Sequence, residues 1–108
     1  MNALLVALGA GVGAPARYLV ARRWPGRRGT LTVNILGSAL FGIVAGGGGR
    51  ASFVLVGVGF CGAFTTFSAF AVEAVVPGPR AGVGYVVLSV AASLAAAALG
   101  LWAGAGTA

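Results

Sequence analysis

The chain alternates between long apolar stretches and short polar junctions. Its charged residues, seven arginines and one glutamate among 108 residues, leave four stretches without charge. A helix needs about 20 residues to cross the hydrocarbon core of a bilayer, so the first span must continue past Arg17. The uncharged stretches are 2–16, 29–49, 51–72 and 81–108. The pattern predicts a single membrane domain (1–108) with helices at 2–21, 30–48, 51–75 and 81–104.

The junctions carry turn-forming residues where four helices require them. A Pro-Gly pair (25–26) lies in the first junction, four glycines (46–49) lie in the second, and Pro-Gly-Pro (77–79) lies in the third. A transmembrane β-barrel would need segments of about ten residues with alternating hydrophobicity, whereas these stretches are continuously apolar. We therefore expect an all-α integral membrane protein.

Composition narrows the possible functions. Hydrophobic residues make up 59% of the chain and charged residues 7%, as in a protein surrounded by a lipid bilayer. The basic residues are few and lie at helix ends, which is typical of membrane loops, so we expect no nucleic-acid partner. The chain has no histidine, one carboxylate (Glu73) and one thiol (Cys61). The chain therefore has too few suitable side chains for acid–base, metal-dependent or nucleophilic catalysis. We predict that the protein is not an enzyme.

The third apolar stretch concentrates glycines and hydroxyls. Gly57, Gly59 and Gly62 each weaken a helix by roughly 1 kcal/mol relative to alanine. They predict a break that frees backbone carbonyls near Gly62 and Thr65; a kink satisfied by a threonine side chain is the alternative. Irregular backbone survives in a bilayer only where protein or a water-filled cavity covers it, so we expect this stretch to line a pore or binding site. Its hydroxyl-bearing residues are Thr65, Thr66 and Ser68.

Polar residues also interrupt the second and fourth stretches. Tyr85, Ser89 and Ser93 recur every four residues and so share one helix face. Their hydroxyls either bond back to their own helix or form a polar track. Asn34 places a carboxamide in the second stretch. Because an unpaired amide is costly to bury, Asn34 either bonds to another helix or faces a pore.

Small residues recur at four-residue spacing on two helices, a pattern typical of close helix packing in membranes. They are Gly9 and Gly13 in the first helix, and Ala92, Ala96, Gly100 and Gly104 in the last. The spacing does not distinguish packing within one bundle from packing between subunits. Four helices of this size cannot enclose a wide channel, so we expect any pore to lie between subunits.

Three segments, followed by Glu73, resemble the CrcB/Fluc family of fluoride channels in order and spacing. They are GAGVGAPAR (9–17), GTLTVNILG (29–37) and GFCGAFTTFSAF (59–70). The resemblance covers essentially the whole chain. It implies an antiparallel dimer of four-helix subunits in the bacterial cytoplasmic membrane, with the third helix broken. Two narrow pores, each drawing on both subunits, would export fluoride passively.

The resemblance implies roles for the pore residues. Phe67 and Phe70 match phenylalanines that contact fluoride through their ring edges, and Asn34 matches a pore asparagine. The predicted fluoride-pore residues are Asn34, Thr66, Phe67, Ser68, Phe70, Tyr85, Ser89 and Ser93.

Other matched positions concern assembly and the pore entrance. Gly62 and Thr65 fall where backbone carbonyls hold a structural sodium ion, which is not transported, at the subunit interface. Arg17 matches an arginine assigned to folding or to the field of the vestibule. Ala69 departs from the family pattern, in which threonine is more usual, and so removes one hydroxyl beside the phenylalanines.

Two other functions remain open on the sequence alone. Small multidrug transporters share the length and the four helices, but exchange of protons for cations needs an acidic residue deep in the first helix. Here the one acid, Glu73, lies at the end of the third. A non-transporting membrane assembly protein would not need Asn34 and a hydroxyl face together.

The arginines of the junctions are distributed unequally. Five lie in the first and third junctions, which share one side of the membrane, and one lies on the other side. They are Arg22, Arg23, Arg27, Arg28 and Arg80 against Arg50. Arginine bias in short loops sets orientation, so the count predicts one fixed topology, with both termini outside, instead of the family's dual topology. An antiparallel dimer would then form with an oppositely oriented paralogous subunit instead of with a second copy of the chain itself.

Overall fold

Helices account for the regular structure of residues 2–76 and 78–107, which the computed structural model describes. The elements are α1 (Asn2–Arg23), α2 (Arg27–Gly47), α3 (50–64), α4 (Phe67–Val75) and α5 (Pro79–Thr107). The third membrane span comprises α3 and α4 with a break between them. Four spans in the described residues are long and apolar enough to cross a bilayer, which confirms the predicted class. The chain is a multi-pass membrane protein, and its long dimension of 43 Å matches a bilayer with its headgroups.

Glycines reverse the chain at two junctions. Gly26 has a φ of 75° between α1 and α2, and Gly78 has a φ of 102° before α5. Both values lie in the left-handed region that residues with a Cβ disfavour. Pro77, which belongs to the third predicted junction, lies outside the described residues.

Two glycines bring α1 and α3 into backbone contact. A Cβ on Gly9 would collide with the carbonyl oxygen of Leu55, and a Cβ on Gly13 would collide with the carbonyl oxygen of Phe60. Backbone atoms cannot turn aside as a side chain can, so a larger residue at either position would force the helices apart. Gly9 and Gly13 therefore pack inside one subunit, an alternative that their spacing left open.

The same arrangement joins α2 and α5. A Cβ on Gly42 would collide with the carbonyl oxygen of Ala97, and a Cβ on Gly100 would collide with that of Ala39. Gly104 likewise faces the backbone of α2. Gly100 and Gly104 of the last helix are thus also used for packing within the subunit.

The third span contains a π-helical segment, Phe53–Cys61. Gly57 and Gly59 lie in this segment and remain helical. The break comes after Gly62, at Thr65 and Thr66, whose φ/ψ values of −81°/161° and −145°/122° are extended. The break thus lies near Gly62 and Thr65, where it was expected, but the glycines themselves do not form it. They lie before it, and the break itself depends on hydrogen bonds made by the two threonines.

Few large side chains are buried within the single chain. Val33 is 2% exposed and Phe64 is 6% exposed, whereas Leu94, Trp102 and Phe67 are 67%, 78% and 79% exposed. In a membrane protein such apolar faces contact lipid or another subunit. The fold therefore presents its polar features in grooves at the surface of the subunit.

Candidate functional site

The break in the third span is hydrogen bonded by the carboxamide of Asn34. The Asn34 Nδ2 donates to the Thr66 carbonyl oxygen at 3.0 Å, and the Thr66 N–H donates to Asn34 Oδ1 at 2.9 Å. An extended residue inside a bilayer exposes a donor and an acceptor, and both are costly if unpaired. A carboxamide carries one of each in a plane, so one side chain satisfies both groups. Asn34 thus makes an interhelical bond, one of the two alternatives that the sequence allowed.

The two threonines of the break have different tasks. The Thr65 hydroxyl donates to the Cys61 carbonyl oxygen at 2.8 Å and closes the end of α3. The Thr66 hydroxyl accepts from the Ala69 N–H at 3.3 Å and caps the start of α4. It also lies 3.4 Å from the Ser68 hydroxyl. The threonine side chains therefore stabilise the two helix ends that the break creates.

The break leaves two carbonyls without their helical partners. In a continuous helix the Gly62 and Thr65 oxygens would accept from the N–H groups four residues later. The Thr66 N–H bonds to Asn34 instead, and the Ala69 N–H bonds to the Thr66 hydroxyl. No backbone N–H of the described residues donates to the Gly62 or Thr65 oxygen. Both oxygens remain free to accept a further partner.

A groove of about 360 Å³ runs along the subunit beside the break, between α2, α4 and α5. It is lined by Asn34, Ser38, Thr65, Thr66, Phe67, Phe70, Ser89, Val90, Ser93 and Leu94. None of these lining residues is charged. The groove brings together six of the predicted pore residues, which come from three different helices.

The serines of the groove keep their hydroxyls available. Ser89 is only 3% exposed, yet within the described part of the chain no hydrogen bond joins the hydroxyl of Ser89 or Ser93 to another group. Bonding back to their own helix, the alternative interpretation of these serines, is therefore not observed. Ser38 was not predicted, although its position one turn after Asn34 on the same face was a usable signal.

The two phenylalanines of α4 differ in exposure. Their ring centroids lie 5.8 Å apart. Phe70 is half-buried, with its ring 5.5 Å from that of Tyr85, whereas Phe67 is 79% exposed. Phe67 therefore presents its ring at the outer surface of the subunit.

A second groove, also of about 360 Å³, lies on the other side of the break. It is lined by Ala14, Arg17, Tyr18, Ala21, Gly29, Thr30, Val33, Thr66, Ser68 and Ala69. It extends toward the first junction, and Arg17 gives it a positive charge that attracts anions. Thr66 borders both grooves. Gly62 lines a third groove, of about 430 Å³, together with Thr65.

The sequence of the chain matches the family model described as CrcB-like protein, Camphor Resistance (CrcB), over residues 4–101. The chain belongs to the CrcB-like family. The resemblance seen in its three motifs is thereby confirmed.

Curated relatives of this CrcB-like chain carry a more specific name. The fluoride-specific ion channel FluC 1 of Rhodococcus jostii is 46% identical, with coverage of 93% of this chain and 82% of the relative. FluC 2 of the same organism is 45% identical, with coverage of 93% and 96%. The fluoride-specific ion channel FluC 2 of Natronomonas pharaonis is 49% identical, with coverage of 97% and 96%.

Tyr85 differs from the two serines with which the sequence grouped it in its hydrogen-bond partner. It does not line the first groove. Its hydroxyl donates to Glu73 Oε1 at 3.4 Å. The expected track of three hydroxyls is therefore divided into two groove serines and a tyrosine bonded to the one acid of the chain.

Arg27 is a site residue that the sequence analysis missed. Its Nε and Nη2 donate to the Glu73 carbonyl oxygen at 3.1 Å and 2.9 Å, and its Cζ lies 4.8 Å from the Tyr85 ring centroid. On the sequence alone, Arg27 contributed only to the number of junction arginines that predicts the orientation of the chain in the membrane. Its contacts join residues that are distant along the chain, and no local pattern indicates them.

Replacement of Asn34 by leucine should destabilise the CrcB-like fold. The apolar side chain would leave the Thr66 N–H and carbonyl without partners, at a cost of roughly 2 kcal/mol or more. The thermal unfolding midpoint of the purified protein measures the effect. Ser38→Ala, one turn along the same face, is the control and should change the midpoint little. Equal midpoints for the two variants would contradict a structural role for the Asn34 pair.

Proposed function

We propose that the chain is one subunit of a passive fluoride channel and that the groove between α2, α4 and α5 forms one wall of its conduction path. The observation that carries the proposal is the chemistry of this groove. It combines a carboxamide, hydroxyls with no partner in the described chain, and phenylalanine rings, with no charge among its lining residues. The names of the curated relatives support the same function.

This donor set suits fluoride. The ion is small and strongly hydrated, so a pore must replace its water with compact hydrogen-bond donors. Serine hydroxyls can donate without a fixed positive charge, which would hold the ion too tightly for it to leave. Aromatic ring edges carry the positive side of the ring quadrupole and add a weak anion contact. Such a path lets fluoride that has accumulated in the cytoplasm leave down its gradient.

The working channel in this proposal is an antiparallel dimer with two pores. The groove is open along one side of the subunit, and Phe67 is 79% exposed beside it. A second subunit related by a two-fold axis would cover the groove and bring its own phenylalanines to the shared path. The same operation, exact between identical chains and approximate between related ones, generates two pores.

Replacement of Phe67 or Phe70 by isoleucine should slow fluoride efflux from reconstituted liposomes by roughly tenfold. Isoleucine keeps the apolar volume but removes the ring edge, whose contacts are worth about 0.5–1.5 kcal/mol. A fluoride electrode measures the efflux, and gel filtration measures the dimer content, which should not change.

Phe53→Ile supplies the matched control, because Phe53 lies on the same span, outside the groove, and packs against Phe41. Its efflux should equal that of the wild type. If both groove variants also conduct like the wild type, the pore assignment is wrong. Proton-coupled drug uptake by the wild type would instead support a multidrug transporter, and the absence of any transport would support an assembly protein.

We also propose that the free carbonyls of Gly62 and Thr65 hold a structural sodium ion at the subunit interface. Neutral carbonyl oxygens suit a hard cation, and these two lack backbone partners among the described residues. A two-fold partner would contribute the same pair, so four oxygens would surround the ion. The positive charge of the ion would attract the carbonyl oxygens at the break of each subunit and so hold the two subunits together. The ion would not be transported.

Sodium should therefore stabilise the dimer. Replacing sodium with N-methyl-D-glucamine, a large organic cation, should lower the thermal midpoint of dimer dissociation in detergent. Gly62→Leu should remove this sodium dependence, and Thr65→Ser, which keeps the hydroxyl, should preserve it. A midpoint indifferent to the cation would refute the sodium site.

The native partner is, in our proposal, a similar subunit of opposite orientation. The imbalance of five junction arginines against one favours a single orientation for this chain. Two of the relatives, FluC 1 and FluC 2, come from one organism, which supports pairing between related subunits.

Single cysteines in a Cys61→Ala background should reveal one fixed topology in intact cells. A cysteine at the C-terminus should be fully accessible to a membrane-impermeant thiol reagent, and a cysteine at Arg28 should be protected. Labelling after permeabilisation is the control for reactivity. Labelling of each site in about half of the molecules would mean dual topology and a homodimer.

A further inference from the structure

The end of α4 has a carbonyl that its own helix cannot satisfy. The Glu73 oxygen would accept from the N–H of residue 77 in a continuing helix, but residue 77 is proline and carries no N–H. The bond from the Val76 N–H to the Val72 oxygen is formed normally. The Arg27 guanidinium supplies two N–H donors to the Glu73 oxygen instead.

The contacts of α2 with the broken span form two fixed points. Asn34 binds the backbone of Thr66 at the start of α4, and Arg27 binds the backbone of Glu73 near its end. Arg27 and Asn34 are seven residues apart along α2, and Thr66 and Glu73 are seven residues apart along the broken span, which is about two helical turns in each case. The two segments run in opposite directions, so both contacts form between the same pair of elements. A helix held at Thr66 alone could pivot about that point. The Arg27 contact opposes this pivot by hydrogen bonds, and the close approach of Gly82 to the Ala74 backbone opposes it by packing.

Arg27 also contacts the ring of Tyr85, which in turn packs against the ring of Phe70. Its guanidinium lies over the Tyr85 ring, at 4.8 Å from the centroid, and the Tyr85 ring lies 5.5 Å from that of Phe70. The Tyr85 hydroxyl in turn donates to the Glu73 carboxylate. The Arg27 guanidinium thus binds the backbone of α4 directly and contacts its Phe70 ring indirectly, through Tyr85.

We propose that Arg27 is a positioning residue of the channel: it replaces the hydrogen bond that Pro77 cannot make and fixes the orientation of the half-helix that carries Phe67 and Phe70. This inference rests on the proposed function of the groove. It assigns to a junction arginine a role that is separate from membrane orientation.

A double-mutant cycle between Arg27 and Pro77 tests the proposal. Arg27→Met keeps an unbranched apolar stem but removes the donors, and should slow fluoride efflux from liposomes roughly tenfold, as expected for loss of hydrogen bonds from a charged group. Arg28→Met is the matched control, because it removes the same charge from the adjacent, exposed position. It should leave efflux near that of the wild type.

Pro77→Ala restores an N–H four residues after Glu73. In the Pro77→Ala background the effect of Arg27→Met should therefore shrink several-fold, whatever Pro77→Ala does alone. A merely structural role for Arg27 predicts the same effect in both backgrounds. Amide hydrogen exchange of residues 67–76 supplies a readout independent of transport, and exchange should be faster in Arg27→Met than in Arg28→Met.

Three results would overturn the inference: equal efflux for Arg27→Met and Arg28→Met, an Arg27 effect unchanged by Pro77→Ala, or equal exchange in the two arginine variants. A wild type that passes no fluoride, either alone or reconstituted with an oppositely oriented related subunit, would reject the proposed function instead. In that case the exchange comparison alone still decides whether Arg27 holds α4.

Discussion

A bilayer offers no water to an interrupted backbone, so a break in a membrane helix exists only where the protein supplies the missing hydrogen bonds. Here the carboxamide of Asn34 supplies both bonds for Thr66. The free Gly62 carbonyl follows from that exchange of partners, and the Thr66 hydroxyl, which accepts from the Ala69 N–H, caps α4 and leaves the Thr65 carbonyl free. The groove beside the break also depends on it, because Asn34 and Thr66 both contribute to its wall.

The two halves of the third span are held by different forces. α3 packs by direct backbone contact with α1, where Gly9 and Gly13 leave no space for a side chain. α4 is held by side-chain hydrogen bonds from Asn34 and Arg27 to its backbone, and by a close approach of Gly82 in α5 to the Ala74 carbonyl oxygen. Close packing permits little displacement, whereas hydrogen bonds to two points define an orientation. The pore phenylalanines therefore lie on the half that polar contacts hold in addition to packing.

Spacing and composition allowed the helices to be predicted, because the length of a membrane span and the positions of charge and turn residues are local properties of the sequence. Asn34, Ser89 and Ser93 were also recognisable, since polar groups are conspicuous in apolar stretches, whereas Phe70 was singled out only through the family resemblance. The break was predicted near Gly62 and Thr65, but its cause was not, because the extended conformation of Thr66 depends on a partner that lies 32 residues earlier in the chain. Arg27 was missed for a related reason. Its charge suggested a loop, whereas its function in the fold depends on the carbonyl of a distant helix end.

The meeting of two grooves at Thr66 has an electrical consequence. In a channel whose two grooves hold water and open to opposite sides of the membrane, the conducting solutions would approach each other at this residue, and the membrane voltage would fall mainly across it. Moving a unit charge through a full potential of 100 mV involves about 2.3 kcal/mol. Most of that work would then be concentrated in one short step past Thr66, and the current–voltage relation would report on the residues at the break more than on the length of either groove.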